Sequence, residues 1–256
     1  MFKWNSELYS KFLAERTQPA IDLARRITLD NPNSIIDIGC GPANSTRVLA
    51  DRFPNSHIIG ADNSEEMIEQ ARSSYPDLEF IIFDAQNDFP KLTQKFDVIF
   101  SNACIQWVPN HEKLITEMMN ALNSGGMLAV QIPMNYSEPI HRIICELAQS
   151  DKWSCLSDSR VFHTLTVEEY YDILSELTDN FAVWQTTYCH SMPSHESIIE
   201  WYKSTGLRPY TSQLDEPHAE EFVNDVLAEV KKAYPKQKNG DIIFRFPRFF
   251  FTAKKV

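Results

Sequence analysis

Between Ser34 and Gln131, short apolar runs alternate with segments of helical spacing, and few folds accept that rhythm. The runs "SIIDIG", "HIIGAD", "EFIIFDA", "FDVIFSNA" and "GMLAVQIP" read as strands buried on both faces. Between them, "SEEMIEQARSSY" starts from a Ser64 cap, carries acids in its first turn and sets Met67, Ile68 and Ala71 on one stripe. "HEKLITEMMNALNSGG" sets Leu114, Ile115, Met118, Met119 and Leu122 on one face and is expected to end on Gly125 and Gly126. The Met residues of these segments read as core. Alternation of this kind means a doubly wound, mostly parallel sheet with helices on both faces.

Past Pro133 the rhythm changes. "EPIHRIICELAQS" and "TVEEYYDILSEL" read as helices and "FAVWQTTYCHSM" as a strand. Two helical pieces follow, Ser194 to Ser204 and Asp215 to Ala233, and "DIIFRFPRFFFTAK" reads as a last strand, the seventh. Pro247 cannot donate to a ladder, so a bulge or a sheet edge is expected there. No internal repeat, low-complexity tract or long linker interrupts the chain.

Bulk properties narrow the function. The 256 residues suffice for one large α/β domain with a small cap. A net charge of -11 argues against non-specific binding to nucleic acid or to an anionic membrane, and any anionic substrate would need locally placed arginines. The five cysteines are odd in number and form no C-x-x-C, which disfavours a disulfide framework or a metal site and fits a reducing, cytoplasmic location. The charged N-terminus lacks the apolar run of a signal peptide, and no segment approaches the ~18 apolar residues of a membrane span.

The chemistry is expected at "SIIDIGCGPANST". Asp37 precedes a turn on Gly39 and Gly41, Asp62 closes the second strand, and Asp84 closes the third. Dinucleotide enzymes carry a third glycine where this chain has Asn44, and a pyrophosphate would be repelled by crowded acids. A sulfonium cofactor with a zwitterionic methionine tail would not.

That constellation resembles the class I S-adenosylmethionine-dependent methyltransferases, whose pattern places an acid and a G-x-G turn after the first strand, acids after the second and third, and a polar segment after the fourth. A methyl group at Ala43, where the motif usually has its next glycine, is tolerable if its φ is negative. Further segments, among them "WNSELYSKFLAERTQPAIDL", "NACIQWVPNH", "AVQIPMNYSEPIHRII", "TGLRPY" and "FPRFFFTAK", resemble the trans-aconitate 2-methyltransferase family from Trp4 to the C-terminus. The resemblance implies a single Rossmann-like domain over 1–256 with a seven-stranded sheet. Within it, 1–30 would form an N-terminal helical cover, 31–133 the cofactor-binding core, and 134–256 helical cap segments plus the last two strands. It implies S-adenosyl-L-methionine as cofactor and methyl transfer to one carboxylate of trans-aconitate, giving a monomethyl ester.

On that reading Asp37, Gly39, Cys40 and Gly41 line the methionine portion. Asp62 holds the ribose, with Asn63 beside it and Met67 near the adenine. Asp84 and Ala85 meet the adenine edge, and Asn102 and Ala103 approach the methionine portion from the other side. A carboxylate is already ionised at neutral pH, so no general base is nominated, and His111 and His141 read as hydrogen-bonders. For the acceptor, Arg208 in "TGLRPY" is the first choice, with Tyr210 nearby, and Arg16 lies near the cofactor cover. Arg245 and Arg248 are either further ligands or surface residues. Trp107 either walls the transfer site or is core, and Gln106 either orients a carboxylate or caps a helix. The alternatives are a methyltransferase for another small acid or a hydroxyl, and a cofactor-binding protein without methyl transfer.

Overall fold

The computed structural model describes residues 17–156, 163–203 and 206–256. These fall into two compact units. Of these described residues, one unit gathers those up to Pro133 with His163–Thr186 and Arg248–Val256, and the other comprises those from Met134 to Leu156 and from Thr187 to Pro247. The expected N-terminal cover lies largely outside the described residues, of which 17–24 are helical.

The first unit is built on β1 (Ser34–Ile38), β2 (His57–Asp62), β3 (Glu79–Ile82), β4 (Phe96–Asn102) and β5 (Leu122–Pro133), alternating with α1 (Asn44–Arg52), α2 (Glu65–Ser74) and α3 (His111–Asn120). With β6 (Phe181–Met192) and β7 (Ile242–Lys254) they form one seven-stranded sheet in the order β3-β2-β1-β4-β5-β7-β6. The first five strands are parallel and β7 runs antiparallel to β5. The strand order reverses at β1, so the ends of β1 and β4 flank the crevice where open α/β sheets take ligands.

Burial explains the apolar runs. Ile35, Ile36, Val98, Ile99, Phe100, Leu128, Val130 and Ile132 are all fully buried. Each such side chain contributes about 1.5–3 kcal/mol. The "FFF" run of β7 is likewise covered on both faces. Tyr170, from α5 (Val167–Leu177), stacks on Phe249 and Phe251 at centroid distances of 5.1 and 5.8 Å. Trp184 of β6 stacks on Phe250, whose side chain leaves the other face, at 5.1 Å. A capping box between Thr166 and Glu169 starts α5.

Two expectations are corrected here. The third helix ends at Asn120, before the glycines, because Leu122 already pairs with Phe96. The glycines serve the strand instead. A Cβ on Gly126 would lie 2.9 Å from the Asn123 carbonyl oxygen and 3.1 Å from those of Asp97 and Phe96, where the register between β4 and β5 shifts. Pro247 marks neither an edge strand nor a bulge in the β5–β7 ladder. β7 is internal in the sheet, and the ladder ends at Pro133↔Arg248, so no donor is required of Pro247 on that side. Its carbonyl accepts from the Met134 N–H at 3.1 Å.

The second unit holds α4 (Pro139–Ala148), α6 (His195–Lys203), α7 (Arg208–Thr211) and α8 (Glu216–Ala233). Its core is aromatic. Trp201, Tyr202, Tyr234 and Phe244 are buried together, with the Phe244 ring centroid 5.9 Å from those of Trp201 and Tyr202 and 6.2 Å from that of Tyr234. Asn135 Nδ2 donates to the Tyr202 hydroxyl at 3.2 Å, and that hydroxyl meets His141 Nε2 at 3.0 Å.

Candidate active site

The G-x-G turn is fastened to its neighbours by backbone bonds. Gly39 and Cys40 both donate N–H to the Ala61 carbonyl, at 2.7 and 3.1 Å. The Gly41 N–H donates to Asp62 Oδ2 at 2.9 Å, and the Ser64 N–H to Asp62 Oδ1 at 2.9 Å. Three successive amide donors of the turn are thus used inside the protein, which is unlike a loop that cradles phosphate with free N–H groups. Asp62 ties the turn to the start of α2, and its two oxygens retain further lone pairs for a ligand.

Gly39 is required twice over. Its φ is +73°, and a Cβ there would lie 2.2 Å from both Cβ and Sγ of Cys104, in the turn after β4. Gly41, at φ +53°, has the opposite surroundings, since a Cβ there meets nothing within 4 Å. Open space therefore lies over the middle of the turn, where a ligand can approach the backbone.

Ala43 does not meet the condition of negative φ, since its φ is +75°. It is fully buried in a cluster with Cys40, Ile68, Ala71 and Phe80. Left-handed backbone costs an L-residue roughly 1–2 kcal/mol. The buried methyl group returns about 0.8 kcal/mol, and alanine also restricts the unfolded chain more than glycine. Ala43→Gly is accordingly expected to change unfolding free energy by less than about 1 kcal/mol, measured by urea denaturation.

Asp37 is fully buried. Its Oδ2 accepts from Ser45 Oγ at 2.6 Å and Thr46 Oγ1 at 2.7 Å, whereas Oδ1 is buried without a hydrogen-bond partner among the described residues. Burial pushes its pKa up to about 6, against the lowering effect of the two hydroxyls and with a smaller push from Asp62. The thiols beside it are held protonated. Burial, with Asp62 and Asp37 nearby, pushes Cys104 up to about 12, and Cys40 rises for the same reasons.

Asp84 sits in a turn of its own making. Its Oδ1 accepts from the Gln86 N–H at 2.9 Å and its Oδ2 from Asn87 Nδ2 at 2.7 Å, with Ala85 buried beside it. Asn63 is exposed and Met67 half-buried. At the end of β4, Ala103 has φ +56° and donates its N–H to the Gln131 carbonyl at 2.8 Å. Asn102 is half-buried, and its Oδ1 has no partner among the described residues.

The other candidates separate clearly. Gln106 Nε2 donates to the Ala103 carbonyl at 2.6 Å, closing the turn, and Trp107 is 51% exposed, so it is not core. Tyr210 is a core residue of the second unit, stacked on Phe222 with its hydroxyl 3.9 Å from Cys145 Sγ, so the expected role beside a substrate does not fit it. Arg208 is exposed on the second unit. Arg245 is exposed and its Nε lies 3.5 Å from the carboxylate of the buried Glu138, whereas Arg248 is buried. Arg16 lies outside the described residues. His111 is committed on both ring nitrogens. Nε2 meets the Ile105 carbonyl at 2.8 Å and must carry the proton, so Nδ1 accepts from the Tyr170 hydroxyl at 2.5 Å. Burial lowers its pKa.

Sequence reasoning missed Ser45 and Thr46, whose hydroxyls set the environment of Asp37, and it missed Gln131. The last had a signal, being a polar residue inside the apolar run "MLAVQIP".

A family model described as a methyltransferase domain matches residues 29–199. A curated trans-aconitate 2-methyltransferase of Escherichia coli O157:H7 (strain EC4115 / EHEC) is 43% identical over the whole of both chains. The chain belongs to the trans-aconitate 2-methyltransferase family. A second such relative, from Escherichia coli strain K12 / DH10B, is 42% identical over the same span. Among solved structures, the YcgJ protein of Bacillus subtilis superposes with a TM-score of 0.61 at 15% identity, covering 93% of this methyltransferase and 98% of that chain. Phosphoethanolamine N-methyltransferase 2 of Haemonchus contortus gives 0.57 at 16% identity, covering 93% of this chain and 53% of that one. At these identities the solved structures speak for the Rossmann-like fold.

Proposed function

We propose that this methyltransferase moves the methyl group of S-adenosyl-L-methionine onto one carboxylate of trans-aconitate, giving a monomethyl ester. The observation that carries the reading is the G-x-G turn, with its amide donors used internally, a buried Asp37 oxygen left without a partner, and open space over Gly41. Such a site suits a zwitterion with an ammonium group better than a pyrophosphate. The full-length relatives named for trans-aconitate support the acceptor.

When bound, S-adenosyl-L-methionine supplies a sulfonium methyl group open to displacement by an oxygen nucleophile. The chain's own residues would then bind and orient. Asp37 Oδ1 would accept from the ammonium, and the spare lone pairs of Asp62 from the ribose hydroxyls. Asp84 and Ala85 would face the adenine edge, Met67 would pack near it, and Asn102 and Ala103 would bound the methionine portion. The acceptor carboxylate is already ionised, since carboxyl pKa values lie near 4, so no proton has to be removed. The protein's contribution is alignment and exclusion of water, and alignment alone is worth about 7–11 kcal/mol. An anionic acceptor approaching an acidic protein needs local cations, for which Arg248, in the unit that carries the turn, is a candidate. The five free cysteines fit a cytoplasmic location.

Incubation with radiolabelled S-adenosyl-L-methionine and a panel of di- and tricarboxylates should give a base-labile labelled ester with trans-aconitate. Label reaching only a hydroxyl compound, or no small molecule at all, would overturn the reading. Asp62→Ala should weaken cofactor binding by about 1.5–3 kcal/mol, the scale of hydrogen bonds to a charged group. The variant should fold with a lowered melting temperature, because the Gly41 and Ser64 N–H groups lose their acceptor. Calorimetric titration and a thermal melt measure the two effects.

A further inference from the structure

Gln131 lies in the sheet with 0% exposure, and neither Nε2 nor Oε1 has a hydrogen-bond partner among the described residues. Its backbone is in register with Asn102 on β4 and with Phe250 on β7. Residues paired across a ladder project from the same face, and so do residues two apart on a strand. Asn102, Gln131, Phe250 and Arg248 therefore leave one face of the sheet near the C-terminal ends of β4 and β5. Asn102 Oδ1 is a further buried atom there without a partner. Arg248 is 8% exposed, the one buried arginine among the described residues.

A primary amide buried with both ends unbonded destabilises the fold, and an apolar side chain of similar volume would not. The surroundings state what the amide awaits. A guanidinium two residues along the same face repels an ammonium and attracts an anion, and the planar NH2 of an amide donates to a carboxylate oxygen. The ammonium end of the cofactor has its own acceptor in Asp37 Oδ1.

We propose that Gln131, with Arg248 beside it on the sheet, receives a carboxylate of the acceptor and is a specificity-determining residue of the site. The inference rests on the carboxyl-methyl-transfer reading above and deepens it by naming the buried donor that selects the acceptor.

The test uses the purified full chain and two near-isosteric variants, Gln131→Met and Gln131→Glu. With S-adenosyl-L-methionine saturating, Gln131→Met should raise KM for trans-aconitate about 10- to 100-fold, with kcat changing less. Gln131→Glu should be worse, because it places a like charge against the anion. The dissociation constant for S-adenosylhomocysteine should stay within about twofold of the parent. Gln131→Met should melt at the parental temperature or above it, since it removes an unbonded buried amide. A folded Gln131→Met with parental KM, or with weakened cofactor binding at unchanged KM, would overturn the assignment. If Gln131→Glu fails to fold, Gln131→Met decides alone. If the parent methylates no carboxylate, the reaction assigned above fails, and the residue is judged by binding. Trans-aconitate is then titrated into the S-adenosylhomocysteine complex by calorimetry. Binding that is lost in Gln131→Met upholds the site, and equal binding or none in the parent overturns it.

Discussion

Asp37→Asn should make the protein more stable at pH 8 and a poorer binder of its cofactor. The carboxyl group is fully buried with a pKa raised from 3.8 to about 6. Because the folded value lies above the unfolded one, the native state holds the extra proton between about pH 4 and 6. Stability therefore falls as pH rises through that window and stays lower above it. A shift from 3.8 to about 6 corresponds to about 3 kcal/mol at pH 8. Asparagine removes the charge and keeps one oxygen for the Ser45 and Thr46 hydroxyls. Its NH2 takes the place of Oδ1, which has no partner among the described residues, and an unmet donor costs about 1–3 kcal/mol. The net gain should be about 0–2 kcal/mol at pH 8, falling away as pH drops from about 6 to about 4, below which Asp37 is protonated in both the folded and the unfolded state. Cofactor affinity should fall by roughly 10- to 100-fold, the loss of one charge-assisted hydrogen bond. In the parent, affinity should also decline as pH drops below about 6, and in the variant it should not. Urea melts at two pH values and calorimetry across the same range measure both. A variant less stable at pH 8 would show that Asp37 is a structural anchor and not a ligand-binding charge.

That trade between stability and binding is why some features were legible in the sequence and others were not. Strands β1, β2, β4 and β5 announce themselves because burial on both faces makes the run mostly apolar, and the structure finds them at "SIIDI", "HIIGAD", "FDVIFSN" and "LNSGGMLAVQIP". β3 stops at Ile82, short of the expected end, because the Asp84 side chain turns the backbone after it. Gly125 and Gly126 carry a helix-stop signal by residue type, but the pairing of Phe96 with Leu122 is a tertiary fact that overrides it. Arg245 and Arg248 look equivalent as letters. An odd spacing on one strand sends them to opposite faces, one to the surface and one inward, and only the sheet order tells which. Gln131 breaks an apolar run by one residue, and its meaning depends on Asn102 and Arg248 arriving from strands far away in sequence.

Gly39→Ala should be the most damaging single methyl group that can be added to this site. Two penalties coincide there. The φ of +73° costs alanine roughly 1–2 kcal/mol. The new Cβ would also lie 2.2 Å from Cβ and Sγ of Cys104, and overpacking of this severity costs about 1–3 kcal/mol or more. The sum, about 2–5 kcal/mol, is a large part of the stability of an ordinary domain. Gly41→Ala makes the control. Its φ of +53° carries a similar backbone penalty, but its Cβ meets nothing within 4 Å, so about 1–2 kcal/mol is expected and the loss should fall on ligand approach. The steric share can be isolated by a second change. In Gly39→Ala combined with Cys104→Gly both offending atoms are gone, and the next nearest atom, Cys104 Cα, stands 3.5 Å from the new Cβ. The double variant should therefore be less destabilised than the sum of the single variants, by about 1–3 kcal/mol. Equilibrium denaturation of the four proteins closes the cycle. Strict additivity would mean that the turns after β1 and β4 do not touch, and that Gly39 is present for its backbone angle alone.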